Sequence, residues 1–313
     1  MPKALVIGSR GQDGSYLVEL LQAKGYELIP LTRHGVDGPL ADRYPSLLVN
    51  SANMKNLLVA ERPDEIYYLA AFHHSSEEAA TDELDLLRNS FETNTNGLLD
   101  VLYATMRWLP KTRLFYAASS HIFGEPSLSM QDENTPINPV NAYGISKSTG
   151  VYLCRYFRKQ HNLHASVGIL FNHESPRRAD RFLSKKIVKA AINIKQGRQE
   201  RLILGRLDAL ADWGFAPDYV RGMWDILQLN EPDDFVIATG ILHSVQDFVA
   251  NAFDAVGLEW SDYVIQQESL LTKRPVALCG DAGRLRRAAR WRPETTFEEL
   301  IQIMIKAELN GER

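Results

Sequence analysis

Short apolar runs alternate with segments of helical period through the first half of the chain, and that alternation leaves few folds open. Residues 3–8, 27–31, 46–50, 65–70, 113–119 and 164–171 are too short for helices. Several are rich in Val, Ile, Leu and Tyr, as strands buried on both faces are. Helical period runs between them, over 14–24, 53–61, 91–108 and 142–160. This β-α-β-α order predicts an α/β fold around a doubly wound parallel sheet. After residue 171 the rhythm changes. Helices at 181–196, 219–229, 244–256 and 296–309 and strands at 201–204 and 234–239 predict a smaller, mixed α/β unit. The expected division is therefore 1–171 and 172–313, with some C-terminal segments returning to the first unit.

Between the first strand and the first helix lies Gly8-Ser9-Arg10-Gly11-Gln12-Asp13-Gly14. In a GxxGxxG turn, Gly8 permits the tight bend, Gly11 lets backbone approach a pyrophosphate, and Gly14 allows helix to pack on strand. The helix N-terminus adds free N–H groups and the positive end of a dipole. Strand, turn and helix in this order predict a Rossmann-type dinucleotide site, with Gly8, Gly11, Gln12, Asp13 and Gly14 at its centre. The strand-end positions Asn50 and Ala70 join that set. At the end of the second strand an NAD site usually carries an acid for the ribose hydroxyls, whereas this chain reads Leu31-Thr32-Arg33-His34. Arg33 favours a 2′-phosphate, and so NADP over NAD; the competing reading is a solvated surface arginine.

A second motif, Tyr143-Gly144-Ile145-Ser146-Lys147, opens a long helix. Spacing of four stacks the two side chains on one face, so that the ammonium lowers the phenol pKa and reaches the cofactor ribose. Upstream, Ala118-Ser119-Ser120 ends a buried strand where a hydroxyl meets the reacting alcohol. Tyr and Lys at this spacing are weak evidence alone. Joined to the glycine turn and the serine strand-end, they predict hydride chemistry with Ser119, Tyr143 and Lys147 as the catalytic set.

Charge excludes other classes. With 35 basic against 39 acidic side chains, net −4, there is no electrostatic case for nucleic acid or an anionic membrane surface. No apolar stretch reaches the ~18 residues a spanning helix needs. Cys154 and Cys279 make neither a disulfide framework nor a zinc site, which suits a reducing cytoplasm. The N-terminus leads directly into the glycine turn and does not read as a leader.

With these motifs in hand, the chain resembles an extended short-chain dehydrogenase/reductase, and more narrowly the GDP-mannose 4,6-dehydratase family, over nearly its whole length. The segments that carry the resemblance are 11–17, 63–67, 212–214, 218–220, 237–240, 295–300 and above all Asn172-His173-Glu174-Ser175-Pro176-Arg177-Arg178. The resemblance implies a nucleotide-sugar substrate oxidised at C4. It implies that Tyr143 takes the C4 hydroxyl proton, Lys147 tunes it, and Ser119 assists. It places Ser120 and Asn172 near the substrate, His173 and Arg178 on the cofactor side, and Lys186 and Arg274 on the nucleotide diphosphate.

The departures from the family pattern bear on the reaction. Family dehydratases carry a glutamate two positions beyond the catalytic hydroxyl, where it removes the C5 proton during water loss; here that place is His121. An imidazole has a suitable ordinary pKa for the task but not the same geometry. Ala211 stands where the family has an arginine before Asp-Trp-Gly, and the stretch after Arg274-Pro275 is shortened. Gly35-Val36-Asp37-Gly38-Pro39 replaces a loop that supports tetramers in the family, so a homodimer is expected, with a tetramer as the alternative. His73 and His74, which differ from the family's loop, face the sugar in this reading; adjacent histidines point apart, so no metal is expected. The expected activity is C4 oxidoreduction of a GDP-linked or similar sugar without dehydration. A 4,6-dehydratase using His121 is the alternative, and a cofactor-binding regulator that has lost the reaction is the reading of another class.

Overall fold

A computed structural model describes residues 1–41, 44, 49, 51–73, 82–267 and 276–311. In chain order its strands are β1 (Lys3–Ile7), β2 (Glu27–Thr32), β3 (Gly35–Val36), β4 (Glu65–Tyr68), β5 (Arg113–Ser119), β6 (Ala165–Leu170), β7 (Asn172–Glu174), β8 (Leu202–Leu204), β9 (Leu210–Phe215), β10 (Asp234–Ile237), β11 (Leu242–Ser244) and β12 (Val264–Gln266). The helices are α1 (Gln12–Ala23), α2 (Ser51–Glu61), α3 (Glu83–Phe91), α4 (Gly97–Trp108), α5 (Ala142–His161), α6 (Leu183–Lys195), α7 (Ala216–Gln228), α8 (Val245–Asp254), α9 (Gly283–Ala289) and α10 (Phe297–Asn310). Among the described residues no helix is long and apolar enough to cross a membrane.

The main sheet runs β10-β6-β5-β4-β1-β2-β3 among the described residues, parallel throughout except for β3. Its central strands are apolar on both faces because helices cover both. In β1, Leu5 and Ile7 face a core shared with α2, α4 and α5, while Ala4 and Val6 face one shared with α1, α7 and α9. The strand expected at 46–50 falls almost entirely outside the described residues. The helix expected at 91–108 is α4 preceded by a π-turn at Glu92–Asn96.

Residues after 171 contribute to both units. β10 is the edge strand of the main sheet, and α7 packs beside α1, bringing Tyr219, Val220 and Met223 into the first core. The remainder, α6, α8 and α10 with β8 and β9, closes around a separate core containing Ile187, Phe248, Trp213 and Met304. Periodicity assigns no element to 210–215, where β9 lies, because Asp212 interrupts the apolar alternation. The structure explains that acid: its buried carboxylate accepts from the backbone N–H groups of Thr239, Gly240 and Gly280 at 3.0, 2.9 and 3.1 Å. Burial pushes the Asp212 carboxyl up, and these bonds pull the other way.

Candidate active site

The glycine turn is shaped by contact. Gly8 has φ of +94°, and a Cβ there would lie 2.7 Å from the backbone nitrogen of Ala70 at the end of β4. A Cβ on Gly14 would stand 2.1 Å from the Gly8 carbonyl oxygen, so α1 reaches the turn only because Gly14 has none. Gly11 caps α1 without any side-chain bond, leaving the first-turn N–H groups for a ligand. Among the described residues the buried hydroxyl of Ser9, in the same turn, has no hydrogen-bond partner. Unspent backbone donors, an orphaned hydroxyl and a close-approach glycine fit a dinucleotide pyrophosphate. Arg33 follows β2, exposed, with Nε on His34 Nε2 at 3.0 Å.

Three residues expected to contact the cofactor, Gln12, Asp13 and His173, are engaged with one another. His173 Nε2 meets both carboxylate oxygens of Asp13 at 3.0 Å, its Nδ1 lies 2.7 Å from the carbonyl of Phe171, and its ring stacks on Tyr219. Gln12 donates to the His173 carbonyl at 3.0 Å and accepts from Ser175 at 2.9 Å. Arg177 bonds Ser15 and Glu19 and covers the Tyr16 ring. The 172–178 segment is thus a belt that fastens the second unit to the first turn of α1. Burial opposes charge on the pair, but the Asp13 carboxylate raises His173, and the imidazolium in turn lowers Asp13. Arg178 is ion-paired to Glu174 at 3.1 Å and lies 3.6 Å over the Phe182 ring, and its charge lowers both Asp13 and His173.

The catalytic candidates do converge. Asn141 caps α5 by accepting from Gly144 N–H at 2.8 Å, setting Tyr143 and Lys147 one turn apart. Lys147 is fully buried, donates to the Ala117 carbonyl at 2.8 Å, and lies 5.8 Å from the Tyr143 ring centre. Ser119 ends β5 with its hydroxyl toward the Tyr143 phenol, which it pulls down, and accepts from His121 N–H at 3.3 Å; Ser120 is buried beside it in the chain. One expectation is reversed: burial pushes the Tyr143 phenol up to about 12 and the Lys147 amine down to about 7. Desolvation dominates at both groups; at the phenol the Ser119 hydroxyl and the Arg178 charge only partly offset it, and at the amine the Asp13 charge does.

His121 lies in the short turn after β5, its ring 5.7 Å from that of Tyr143 and nearly perpendicular. The Asn141 amide orients it. Because Oδ1 of Asn141 accepts from Gly144, its Nδ2 faces His121 Nδ1, at 3.4 Å. In the neutral form of the ring this contact makes Nδ1 the acceptor and leaves the hydrogen on Nε2. His73 completes the group, 4.6 Å from Tyr143 and 5.6 Å from Phe182.

The chain matches the family model described as GDP-mannose 4,6 dehydratase over residues 5–304. It is 36% identical over 326 residues to GDP-mannose 4,6 dehydratase 2 of Arabidopsis thaliana, covering 98% of this chain and 86% of that one. To the GDP-mannose 4,6-dehydratase of Vibrio cholerae it is 33% identical over 353 residues, covering 98% and 94%. The chain belongs to this family. Among solved structures it superposes on RMD from Pseudomonas aeruginosa complexed with NADPH at a TM-score of 0.81 and 21% identity, covering 98% of both chains. A dTDP-glucose 4,6-dehydratase from Bacillus anthracis in complex with NAD gives 0.81 at 18%, covering 100% and 98%. These two likenesses carry the fold. As a member of the GDP-mannose 4,6-dehydratase family the protein is an NAD(P)-dependent, nucleotide-sugar-modifying enzyme with the short-chain dehydrogenase/reductase fold.

Within that family frame the remaining positions separate. Lys186 lines a cavity of about 550 Å³ with Asp180, Lys189, Gln199 and Arg201. Asn172 is exposed in β7, opposite Trp213. Asn50, His74 and Arg274 lie outside the described residues. Sequence reasoning missed Asn94, Asn141 and Phe182. Asn94 accepts from Phe72 N–H at 2.9 Å and donates to the Phe72 carbonyl at 3.2 Å and to Ser146 Oγ at 2.9 Å, tying the loop after β4 to α5. An asparagine inside an otherwise amphipathic helix was the signal available for it.

Proposed function

We propose that this enzyme binds NADP in preference to NAD, together with a GDP-linked or similar nucleotide sugar, and transfers a hydride at C4 of a manno-type sugar without eliminating water. It is on this reading a 4-dehydrogenase, 4-ketoreductase or 4-epimerase. The observation that carries it is His121. It stands where the family's dehydratases hold the C5 base, yet Asn141 Nδ2 faces its Nδ1 at 3.4 Å, so that in the neutral form Nδ1 accepts and Nε2 bears the hydrogen. A ring so placed is a donor to sugar oxygens, not a base toward carbon.

A bound nicotinamide supplies the hydride acceptor or donor. The chain supplies the proton and the geometry. With its phenol at about 12, Tyr143 is protonated at neutral pH and donates to a C4 oxygen as ketone becomes alcohol; in the reverse direction the phenolate left by that donation takes the proton back from the C4 hydroxyl. The Ser119 hydroxyl, beside the phenol, assists at the same oxygen. Lys147, held on the Ala117 carbonyl, would hold the ribose of a bound cofactor. The residues between Arg178 and Lys186 join the ring cluster to the 550 Å³ cavity, whose Lys186, Lys189 and Arg201 suit a nucleotide diphosphate. Residues 1–171 supply the cofactor half of the site and 172–313 the nucleotide-sugar half, with α7, β10 and α9 returning to the first.

Two exposed, neighbouring helix faces support a homodimer: Leu99 and Tyr103 on α4, and Ile145, Tyr152 and Tyr156 on α5. Two buried, unpaired cysteines suit work in the cytoplasm. A second reading, a 4,6-dehydratase, is favoured by the names of the curated relatives. Turnover of GDP-mannose in deuterium oxide separates the two. We expect no deuterium at C5; incorporation there would show that a base acts on that carbon and would overturn the proposal.

A further inference from the structure

The chemistry above leaves His73 unused, yet the structure places it with care. Its ring stands edge-on to Tyr143, with centres 4.6 Å apart and planes at 86°. Phe182 stacks on it at 5.6 Å and 29°, and His121 lies 6.2 Å away at 83°. The residue before it, Phe72, is pinned through both backbone groups to Asn94, which also holds Ser146 one turn beyond Tyr143. The loop carrying His73 and the helix carrying Tyr143 therefore share one anchor, and their side chains keep a fixed relation.

Into this frame the fold puts an unsatisfied group. Nδ1 of His73 is buried and has no hydrogen-bond partner among the described residues. A buried polar atom left unpaired costs about 1–3 kcal/mol, and such atoms are retained where a ligand supplies the partner. Burial first, then His121 when it is protonated and the nearby cations Arg178, Arg181 and Lys147, hold the imidazole neutral, at about 3. It therefore keeps an acceptor nitrogen at every working pH.

We propose that His73 is a substrate-binding residue: its Nδ1 accepts a hydrogen bond from a sugar hydroxyl adjacent to the oxygen served by Tyr143, with Phe182 fixing the ring. Donor His121 and acceptor His73 then flank the phenol with opposite polarity, and the pocket selects a sugar presenting an acceptor to one and a hydroxyl to the other. This rests on the nucleotide-sugar reading above and extends it to recognition of the hexose.

The test is calorimetric titration of the NADP-loaded protein with GDP-mannose and, separately, with GDP, which lacks the sugar. Three proteins are compared: the unaltered enzyme, His73→Phe, which keeps a ring and removes the nitrogen, and His73→Asn, which returns a polar atom near Nδ1. His73→Phe should bind GDP-mannose about tenfold more weakly, the loss of one hydrogen bond. It should bind GDP and NADP unchanged and melt at a higher temperature without ligand, since the unpaired atom is gone. His73→Asn should recover most of the lost affinity. Equal GDP-mannose affinity in His73→Phe would overturn the inference alone. A parallel loss of GDP binding, NADP binding and melting temperature would overturn it in favour of a purely structural role. Failure of the unaltered enzyme to bind either nucleotide would overturn both this inference and the reading beneath it.

Discussion

Tyr143 and the Asp13–His173 pair show how far single residues can be read. Spacing put Tyr143 and Lys147 on one helix face, and they are there; it also predicted a lowered phenol, and burial gives the opposite. No sequence pattern reports desolvation, because it depends on what the rest of the chain lays over the site. Tyr143→Phe should lower hydride transfer by about 10²–10⁴-fold while cofactor binding, followed by fluorescence titration, stays unchanged; retained turnover would remove Tyr143 from the chemistry. The belt makes a pH prediction. His173 is raised from 6.5, so its contribution to stability is complete below that value and lost as pH rises through the raised one. Asp13 is lowered from 3.8, so its contribution holds above that value and is lost as pH falls through the lowered one. The pair therefore stabilises fully between about 3.8 and 6.5, and melting temperature should fall on the alkaline side. Asp13→Asn, which leaves half of a mostly buried pair, should cost about 3 kcal/mol and flatten that alkaline fall in a denaturation series.

At the scale of elements, the strands and helices of the main sheet were legible because each is buried on both faces or along one stripe. β9 was not, since its alternation is broken by Asp212, whose reason lies in three distant backbone N–H groups. The glycine turn was legible in its position and in its need for close backbone approach. Its prediction is steric: Gly14→Ala places a methyl 2.1 Å from the Gly8 carbonyl, forcing α1 away from the turn. About 1–3 kcal/mol of stability should go, by chemical denaturation, with cofactor affinity lost alongside it. An Ala variant that binds cofactor normally would mean that α1 tolerates the shift. The belt segment is a different case. Asn172 to Arg178 carried the family resemblance most strongly, but its bonds to Gln12, Asp13 and Ser15 cross the chain by about 160 residues and had no local signature.

For the whole molecule, family and fold followed from motifs in order, whereas the way the C-terminal half divides between two cores did not. α7 and β10 are amphipathic and apolar respectively, and neither pattern says which core it serves. The exposed faces of α4 and α5 carry the prediction about assembly. Tyr152→Lys with Tyr156→Lys should convert a dimer to a monomer in sedimentation analysis with the fold intact; an unchanged sedimentation coefficient would place the contact elsewhere. The central claim is a whole-molecule one as well: in the proposed function the family's scaffold is kept while an imidazole facing Asn141 stands in place of the group that removes the C5 proton. Mass spectrometry of the nucleotide sugar after incubation of GDP-mannose with the enzyme and NADP tests it most directly. The account predicts a sugar changed by two hydrogens or returned as an isomer of unchanged mass. A product lighter by one water would contradict it and make His121 the eliminating base.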